Sequence, residues 1–542
     1  MITNLFMNFF IDNNYDTFIS FGNYITKSRF RLFILFSAIY KSQDIFRYLF
    51  YFRNYLVYGN IRKSFKSLMF SYLMKIPYVK NKVNLKITEF NKKIEDDFKT
   101  SQAKLEFNFG DSLNYKGYKT EEITNKLLKL KGSTDVDLNK VSGTLYNDKE
   151  ELELIQNIYP IFYKSNPLHP DIFPEISILE KNIIKIASNL FNGDENTNGC
   201  MTSGGTESIL MACYAYKNLG KEKGITSPEI ILPVTAHAAF DKASDYFGIK
   251  LHKVPINFDT YTLDIGFLIN CINNNTIALV GSAPSYSHGI VDPLEKMSNI
   301  AEDYNIPMHV DACLGGFLLP FMERRNFKYD FELPGVTSIS ADTHKYGYSP
   351  KGSSIILYRN ETYFKKQIFV QEDWNGGIYA TPTIMGSKSG NNIVLTWATL
   401  NYYGFKGYQD RTHKIIETTQ NIITRIKEID NIHVFGNPQV NVVGIGSKTL
   451  NIYQINQEMI KRGWNLNELQ LPESIHLCVT LNHCSEMIEN KFIEDLSESV
   501  TETKNSNIKA EECASVYGST QKIPDRRLIK DIAKHYIKLL SN

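Results

Sequence analysis

Nowhere in these 542 residues do two cysteines stand in a C-x-x-C pair. The seven present (Cys200, Cys213, Cys271, Cys313, Cys478, Cys484 and Cys513) are scattered and odd in number. That pattern argues against a zinc site and a disulfide framework and suits inert thiols in a reducing compartment, so no metal is expected. No secretory signal is expected either, since MITNLFMNFFIDNN has no basic opening and Asp12 interrupts its apolar run. Long apolar runs are also scarce. In the most hydrophobic block, RLFILFSAIYKSQDIFRYLFYFRNYLVYG (31–59), the longest charge-free segment runs only from Leu32 to Tyr40. A spanning helix needs about 20 mainly apolar residues, and each charge at its centre costs about 3 kcal/mol on insertion scales. Lys41, Asp44 and Arg47 would sit at that centre. The block therefore reads either as a helix lying among lipid headgroups or as a single span, and the charges favour the first.

Net charge is also nearly absent, at +2, but it is unevenly spread. Residues 1–100 hold 16 Lys+Arg against 7 Asp+Glu, and the remainder holds 44 against 51. With no zinc-finger spacing and no Gly-aromatic RNA-binding signature beside it, this basic arm suits an anionic lipid surface, and no nucleic-acid partner is expected. The next block, IRKSFKSLMFSYLMKIPYVKNKV, places Phe65, Leu68, Met69, Tyr72 and Leu73 at helical spacing among lysines. It reads as a membrane-surface helix ended by Pro77.

What the chain does contain is a folding composition, 43% hydrophobic and 22% charged, with length for two or three domains. From about residue 180 it alternates helical and strand-like segments. ILEKNIIKIASNLF reads as a helix, and ESILMACYAYKNLG as another, closed by Gly220. Strands are expected at EIILPV (229–234), LHKVPI (251–256), TIALVGSA (276–283), IPMHVDA (306–312), VTSISAD (336–342) and SSIILY (353–358). Helical stretches such as LEKMSNIAEDY separate several of them. The class is α/β, a mainly parallel sheet with helices on both faces, and ligands bind such sheets beyond the carboxyl ends of the strands.

Four features fall at such ends. MTSGGTES (201–208) offers a glycine pair, Gly204 and Gly205, for close backbone approach, and Thr206 and Ser208 at the start of a helix, an arrangement suited to an anion. His237 follows EIILPV. Asp311 closes IPMHVDA ahead of Leu314-Gly315-Gly316. His344 and Lys345 end the strand in SISADTHKYGYSPKGSS (338–354), where a lysine is costly to desolvate unless something uses it. Singly, each has an ordinary structural explanation. Together they match pyridoxal phosphate, which offers an aldehyde to an amine, a pyridine nitrogen to a carboxylate and a phosphate to an anion site.

The runs SGTLY (142–146), SNPLHPDIFP (165–174), TSGGTESILMACYAY (202–216), HVDACLGGF (309–317), GVTSISADTHKYGYSPKGSS (335–354), DWNGGIYATPTIMGS (373–387) and KRGWNLNELQLPESIH (461–476) closely resemble the sphingosine-1-phosphate lyases, over about residues 110–530. That family has the fold-type I pyridoxal-phosphate transferase fold and is related to the amino-acid decarboxylases. The resemblance implies a large domain over 181–410, a smaller C-terminal α+β domain over 411–542, a lead-in over 86–180 and a membrane-associated segment over 1–85. It implies that Lys345 binds the cofactor covalently, that Asp311 pairs with its ring nitrogen and that His237 stacks on the ring. Gly205, Thr206 and His344 would hold the cofactor phosphate, with Ser387 reaching across from a neighbouring subunit of a homodimer. Tyr146, His169 and Lys351 would line the substrate side, Asn166 would orient that loop, and Tyr517 in SVYGS would close the site.

The implied reaction is retro-aldol cleavage of a phosphorylated sphingoid base between C2 and C3, giving a long-chain aldehyde and phosphoethanolamine. Either Lys345 or a water near Tyr146 and His169 would serve the proton transfers. The implied location is the endoplasmic-reticulum membrane with the catalytic domain facing the cytosol, although the charges in 31–59 depart from the family's single spanning helix. The alternative is a pyridoxal-phosphate amino-acid decarboxylase. It would share Lys345, Asp311 and His237 but lack the set Tyr146, His169 and Lys351.

Overall fold

The computed structural model describes residues 75–541 apart from 104–112, 114–115, 133–135, 145, 147–149 and 507–525. The chain divides into two compact units, residues 1–90 with 524–530, and residues 91–523 with 531–542. The described part of the first is almost wholly helical. The basic apolar blocks up to residue 74 and Tyr517 lie outside the described residues. Pro77, expected to end a helix, opens one: α1, Pro77–Ala103. A proline fits a first helical position, where its missing N–H would have had no partner.

The second unit is built on a seven-stranded sheet. After α2 (Pro174–Leu190) come β1 (Asn198–Thr202), α3 (Gly205–Glu222), β2 (Glu229–Pro233), α4 (Ala239–Phe247), β3 (Lys250–Val254), β4 (Thr276–Ser282), α5 (Leu294–Asp303), β5 (Met308–Asp311), β6 (Val336–Ala341) and β7 (Ser354–Tyr358). The strand order is β1-β7-β6-β5-β4-β2-β3. β3, β2, β4, β5 and β6 are parallel neighbours, whereas β7 runs antiparallel to both β6 and β1. β2, β4 and β6 are buried at every residue, as near-continuous apolar runs require when helices cover both faces of a sheet.

Two local expectations are corrected. β1 was not among the expected strands, and its pairing partner, β7, lies about 150 residues away. Gly220 does not close its helix. α3 continues to Glu222, and Gly220 sits inside it because a Cβ there would come within 2.6 Å of Ile277 in β4. The chain turns instead at Gly224, where φ is +79°.

A long helix, α6 (Gly390–Ile426), kinks at Gly404 (φ 58°) and leads to a second sheet. That sheet has the antiparallel order β10-β11-β13-β12, made by β10 (His433–Val434), β11 (Val442–Gly446), β12 (Asn467–Leu469) and β13 (Ser474–Cys478). A small hairpin, β8 (Phe369–Gln371) with β9 (Tyr379–Thr381), precedes α6.

Candidate active site

Lys345 follows β6 by four residues, on a tight segment that begins at Asp342. Lys345 Nζ lies 3.0 Å from Asp342 Oδ2, with the two side chains 23% and 3% exposed. Burial alone would push the lysine down, but the Asp342 charge outweighs it and holds the amine above the ordinary lysine range. Asp342 is itself held below the usual carboxylate range, since Lys345 and then His344 overcome the opposing effect of its burial. His344 Nε2 stands 3.7 Å from the same oxygen. Burial, with Lys351 and Lys345 adding to it against Asp342, keeps His344 below its usual value.

The loop that carries this lysine is clamped from two sides. Tyr346 donates its hydroxyl to Val479 O at 2.6 Å, just past β13, and receives Asn441 Nδ2–H. Tyr348 adopts a left-handed backbone (φ 59°), unusual for a bulky side chain, and its ring stacks on Tyr408 of α6 with centroids 5.9 Å apart. The same end of β13 secures another segment. Gly143 N–H donates to Cys478 O (3.1 Å), and Cys478 N–H donates to Ser142 Oγ (2.9 Å). Tyr146 thereby packs edge-on against Tyr346, with centroids 4.9 Å apart. Lys351 Nζ lies 4.4 Å from the centre of the Tyr146 ring, a cation–π contact. Burial first, and Cys478 second, raise the Tyr146 phenol well above its usual value although Lys345 opposes them.

Gly205 opens α3 directly against this cluster. A Cβ there would stand 2.7 Å from both Asp342 Oδ1 and Cys313 Sγ, so the backbone of Gly205 approaches the cluster as only glycine allows. The N–H groups of Gly205, Thr206 and Glu207 come before the first helical bond, which Ser208 N–H makes to Gly204 O (3.1 Å). Asp311, at the end of β5, accepts Cys313 N–H (3.1 Å) and Ser340 Oγ–H (3.4 Å) on Oδ1, and no described residue donates to its Oδ2. His237, just past β2, is exposed and accepts Ala239 N–H on Nδ1 at 3.1 Å.

Gly205, Asp311, His344, Lys345, Lys351 and Tyr146 are thus joined through shared neighbours at the carboxyl ends of the large sheet. Asn166 and Ser387 meet each other, with Nδ2 donating to Oγ at 3.1 Å. His169 is exposed, and its side chain makes no hydrogen bond to a described residue. Asp342 went unassigned in the sequence reading, although its place three residues before Lys345 signalled a partner. So did Glu207, whose carboxylate receives Ser203 N–H (2.6 Å) and Ile384 N–H (3.0 Å) and ties the glycine loop to the segment before Ser387.

Comparison with known proteins follows the same lines. The family model described as pyridoxal-dependent decarboxylase conserved domain matches residues 164–446. Sphingosine-1-phosphate lyase 1 of Rattus norvegicus is 43% identical over 484 residues, covering 88% of this chain and 84% of the relative. The sphingosine-1-phosphate lyase of Saccharomyces cerevisiae is 39% identical over 482 residues, 85% and 81% respectively. Among solved structures, a Burkholderia pseudomallei sphingosine-1-phosphate lyase superposes with a TM-score of 0.71 at 36% identity, covering 74% of this chain and 94% of that one. A Lactobacillus brevis glutamate decarboxylase shares the fold, with a TM-score of 0.65 at 20% identity over 74% of this chain and 97% of that one.

Proposed function

This chain belongs to the sphingosine-1-phosphate lyase family, within the pyridoxal-dependent decarboxylase domain proteins, and we propose that it cleaves phosphorylated sphingoid bases between C2 and C3 to a long-chain aldehyde and phosphoethanolamine. It is a pyridoxal phosphate-dependent carbon–carbon lyase. The lyase relatives are about twice as similar to it as the decarboxylase neighbour, which shares the fold alone.

Two observations support a fit to pyridoxal phosphate. Asp311 presents one oxygen that no described residue uses, and Gly205 brings its backbone to the Lys345 cluster with no room for a side chain. When bound, the cofactor supplies an aldehyde for an amine and a ring that takes up the electron pair of the broken bond.

In this reading Lys345 Nζ is the amine, kept charged by Asp342 until it is needed. Asp311 Oδ2 holds the proton on the ring nitrogen, and His237 lies against the ring. Gly205, Thr206 and His344 take the cofactor phosphate. Lys351, a compact point charge, takes the substrate phosphate. Tyr146, protonated at neutral pH, donates a hydrogen bond on the substrate side rather than removing a proton. The C3 hydroxyl proton passes to Lys345, whose amine accepts it only in its neutral form, or to a water held beside Tyr146 and His169. Asn166 orients the 165–174 loop; Tyr517, the residue expected to close the site, lies outside the described residues.

The observation that carries the reading is the joining of Lys351 and Tyr146 to the Lys345–Asp342 pair, since a second cation beside the Schiff-base lysine suits a second phosphate. Incubating the purified protein with a sphingoid base phosphate, and separately with a panel of amino acids, tests it. Aldehyde from the former alone supports the lyase; carbon dioxide from any amino acid overturns it.

We further propose a homodimer in which Ser387 reaches the neighbouring cofactor phosphate. Support comes from Trp374, Ile378, Ile384 and Met385, large apolar side chains exposed on the segment leading to Ser387. Sedimentation at catalytic concentration checks it, and an active monomer rules it out. Attachment to the endoplasmic-reticulum membrane through residues 1–85, with the catalytic domain facing the cytosol, is proposed from the basic apolar blocks. Among the described residues no helix is long and apolar enough to cross a membrane. Carbonate against detergent extraction distinguishes peripheral from spanning attachment. The division into 86–180, 181–410 and 411–542 is likewise proposed, to be checked by limited proteolysis.

A further inference from the structure

β5 and β6 run parallel with His309 opposite Ser338 and Asp311 opposite Ser340. Because side chains alternate along a strand, these four share one face of the sheet. They form a connected buried chain. Asp311 Oδ1 lies 3.4 Å from Ser340 Oγ, which lies 3.2 Å from His309 Nε2. His309 Nδ1 lies 2.7 Å from Ser338 Oγ, and Ser338 Oγ lies 2.5 Å from the hydroxyl of Tyr216 in α3. Tyr216 ends the chain on Thr337 Oγ1 at 2.7 Å. None of these side chains is more than 7% exposed.

Donor and acceptor chemistry gives the chain one direction. An ionised carboxylate only accepts, so Ser340 donates to Asp311. The Ser340 oxygen then accepts from His309 Nε2–H and from the Cys313 thiol at 3.2 Å, which completes its bonding. Burial pushes His309 down to about 4 against the opposing charge of Asp311, so the imidazole is neutral and has a single N–H. With that N–H on Nε2, Nδ1 must accept from Ser338, and Ser338 from Tyr216. Every donor thus points toward Asp311. Six buried polar groups in a row, Asp311 to Thr337, are costly unless satisfied; in this direction Asp311 through Ser338 are, and Tyr216 is too when Thr337 Oγ1 turns its proton from Met308 O (3.0 Å) to the phenol.

We propose that Tyr216, Ser338, His309 and Ser340 form a one-way hydrogen-bond relay that anchors Asp311 Oδ1 and leaves Oδ2 turned to the cofactor ring nitrogen, making His309 a positioning residue for cofactor binding and protonation. The proposal rests on the reading of Asp311 given above. It also assigns work to His309, which lies too deep to touch substrate.

The test uses the purified full chain stripped of cofactor and titrated with pyridoxal phosphate. Two quantities are read: the dissociation constant, and the pH midpoint of the visible band of the bound form. His309→Leu and Ser340→Ala are each expected to weaken cofactor binding about tenfold, the size of one buried hydrogen bond lost, and to shift the band midpoint. His309→Gln, which keeps a donor within reach of Ser340, recovers most of both. Unchanged affinity and midpoint in Ser340→Ala overturn the relay, and that variant decides the matter if His309→Leu does not fold. Asp311→Asn separates the two layers. If it too leaves affinity and midpoint unchanged, the role of Asp311 fails first; if it alone changes them, only the relay fails.

Discussion

Asp342 Oδ2 sits 3.0 Å from Lys345 Nζ and 3.7 Å from His344 Nε2, so one buried carboxylate serves the two neighbouring side chains that the cofactor would engage. Its other oxygen, Oδ1, has no hydrogen-bond partner among the described residues. The carboxylate therefore holds the amine charged and in place.

Asp342→Asn leaves Lys345 buried without a counter-ion. The cofactor-free variant is expected to be less stable by about 3 kcal/mol, as when one partner of a buried pair is removed, measured by urea unfolding at neutral pH. The pH dependence carries the sign. Asp342 has a depressed folded-state value, so its contribution is present above the unfolded carboxyl value, about 3.9, and disappears as pH falls through the lower folded value. The gap between wild type and variant should close on acidification.

Lys345→Ala should abolish turnover together with the visible band that survives dialysis. In the wild type, borohydride should fix the cofactor to the chain at Lys345, detectable by peptide mass. Retained turnover in the variant would remove Lys345 from the chemistry.

Lys351→Met should raise KM for a phosphorylated sphingoid base about ten- to a hundredfold, the range for losing a charged hydrogen bond, while Lys345-dependent cofactor binding persists. Steady-state kinetics with the cofactor saturating checks this. An unchanged KM means that the substrate phosphate binds elsewhere.

Gly205→Ala would place a methyl group 2.7 Å from Asp342 Oδ1 and Cys313 Sγ. Overpacking of this kind costs about 1–3 kcal/mol, so both the melting temperature and cofactor affinity should fall. Thr206→Ala, one residue on and exposed, should leave the melting temperature close to that of wild type.

Asp292 gives a pH effect outside the site. It is buried and accepts Ser282 N–H at 2.8 Å. Burial, against that hydrogen bond, pushes its carboxyl up to about 7. The folded state then binds a proton that the unfolded state releases near 3.9, so stability falls as pH rises from about 4 toward about 7 through this group. Asp292→Asn keeps an acceptor for Ser282, and should reduce the loss of melting temperature between pH 5 and 8. An equal loss in both proteins would assign the carboxyl an ordinary titration.

β5, which ends at Asp311, and β6 were legible as short apolar runs bounded by a charge, but His344 and Lys345 do not end β6 as expected: the strand stops at Ala341 and both lie on the turn after it. The glycine pair was legible because a turn into a helix needs it. Gly220 was misread since a helix-ending glycine and one that admits a neighbouring strand look the same along the chain; Ile277, 57 positions on, decides between them. Ser338, Ser340 and His309 passed as strand filler, because alternation shows which residues share a face but not what covers that face.

Local pattern alone determined the α/β alternation, the residue types at the strand ends and, through the runs around Lys345, the family and its cofactor. Tertiary structure decided which of those residues meet. Gly205 presses on Asp342, Lys351 covers the Tyr146 ring, and Asn166 bonds Ser387 across a separation of 221 positions. The physical reason is that strand and helix periods are properties of neighbouring residues. The pairing of Lys345 with Asp342, the clamp of Tyr346 on the second sheet and the direction of the relay behind Asp311 depend instead on how two sheets and α3 close on one another.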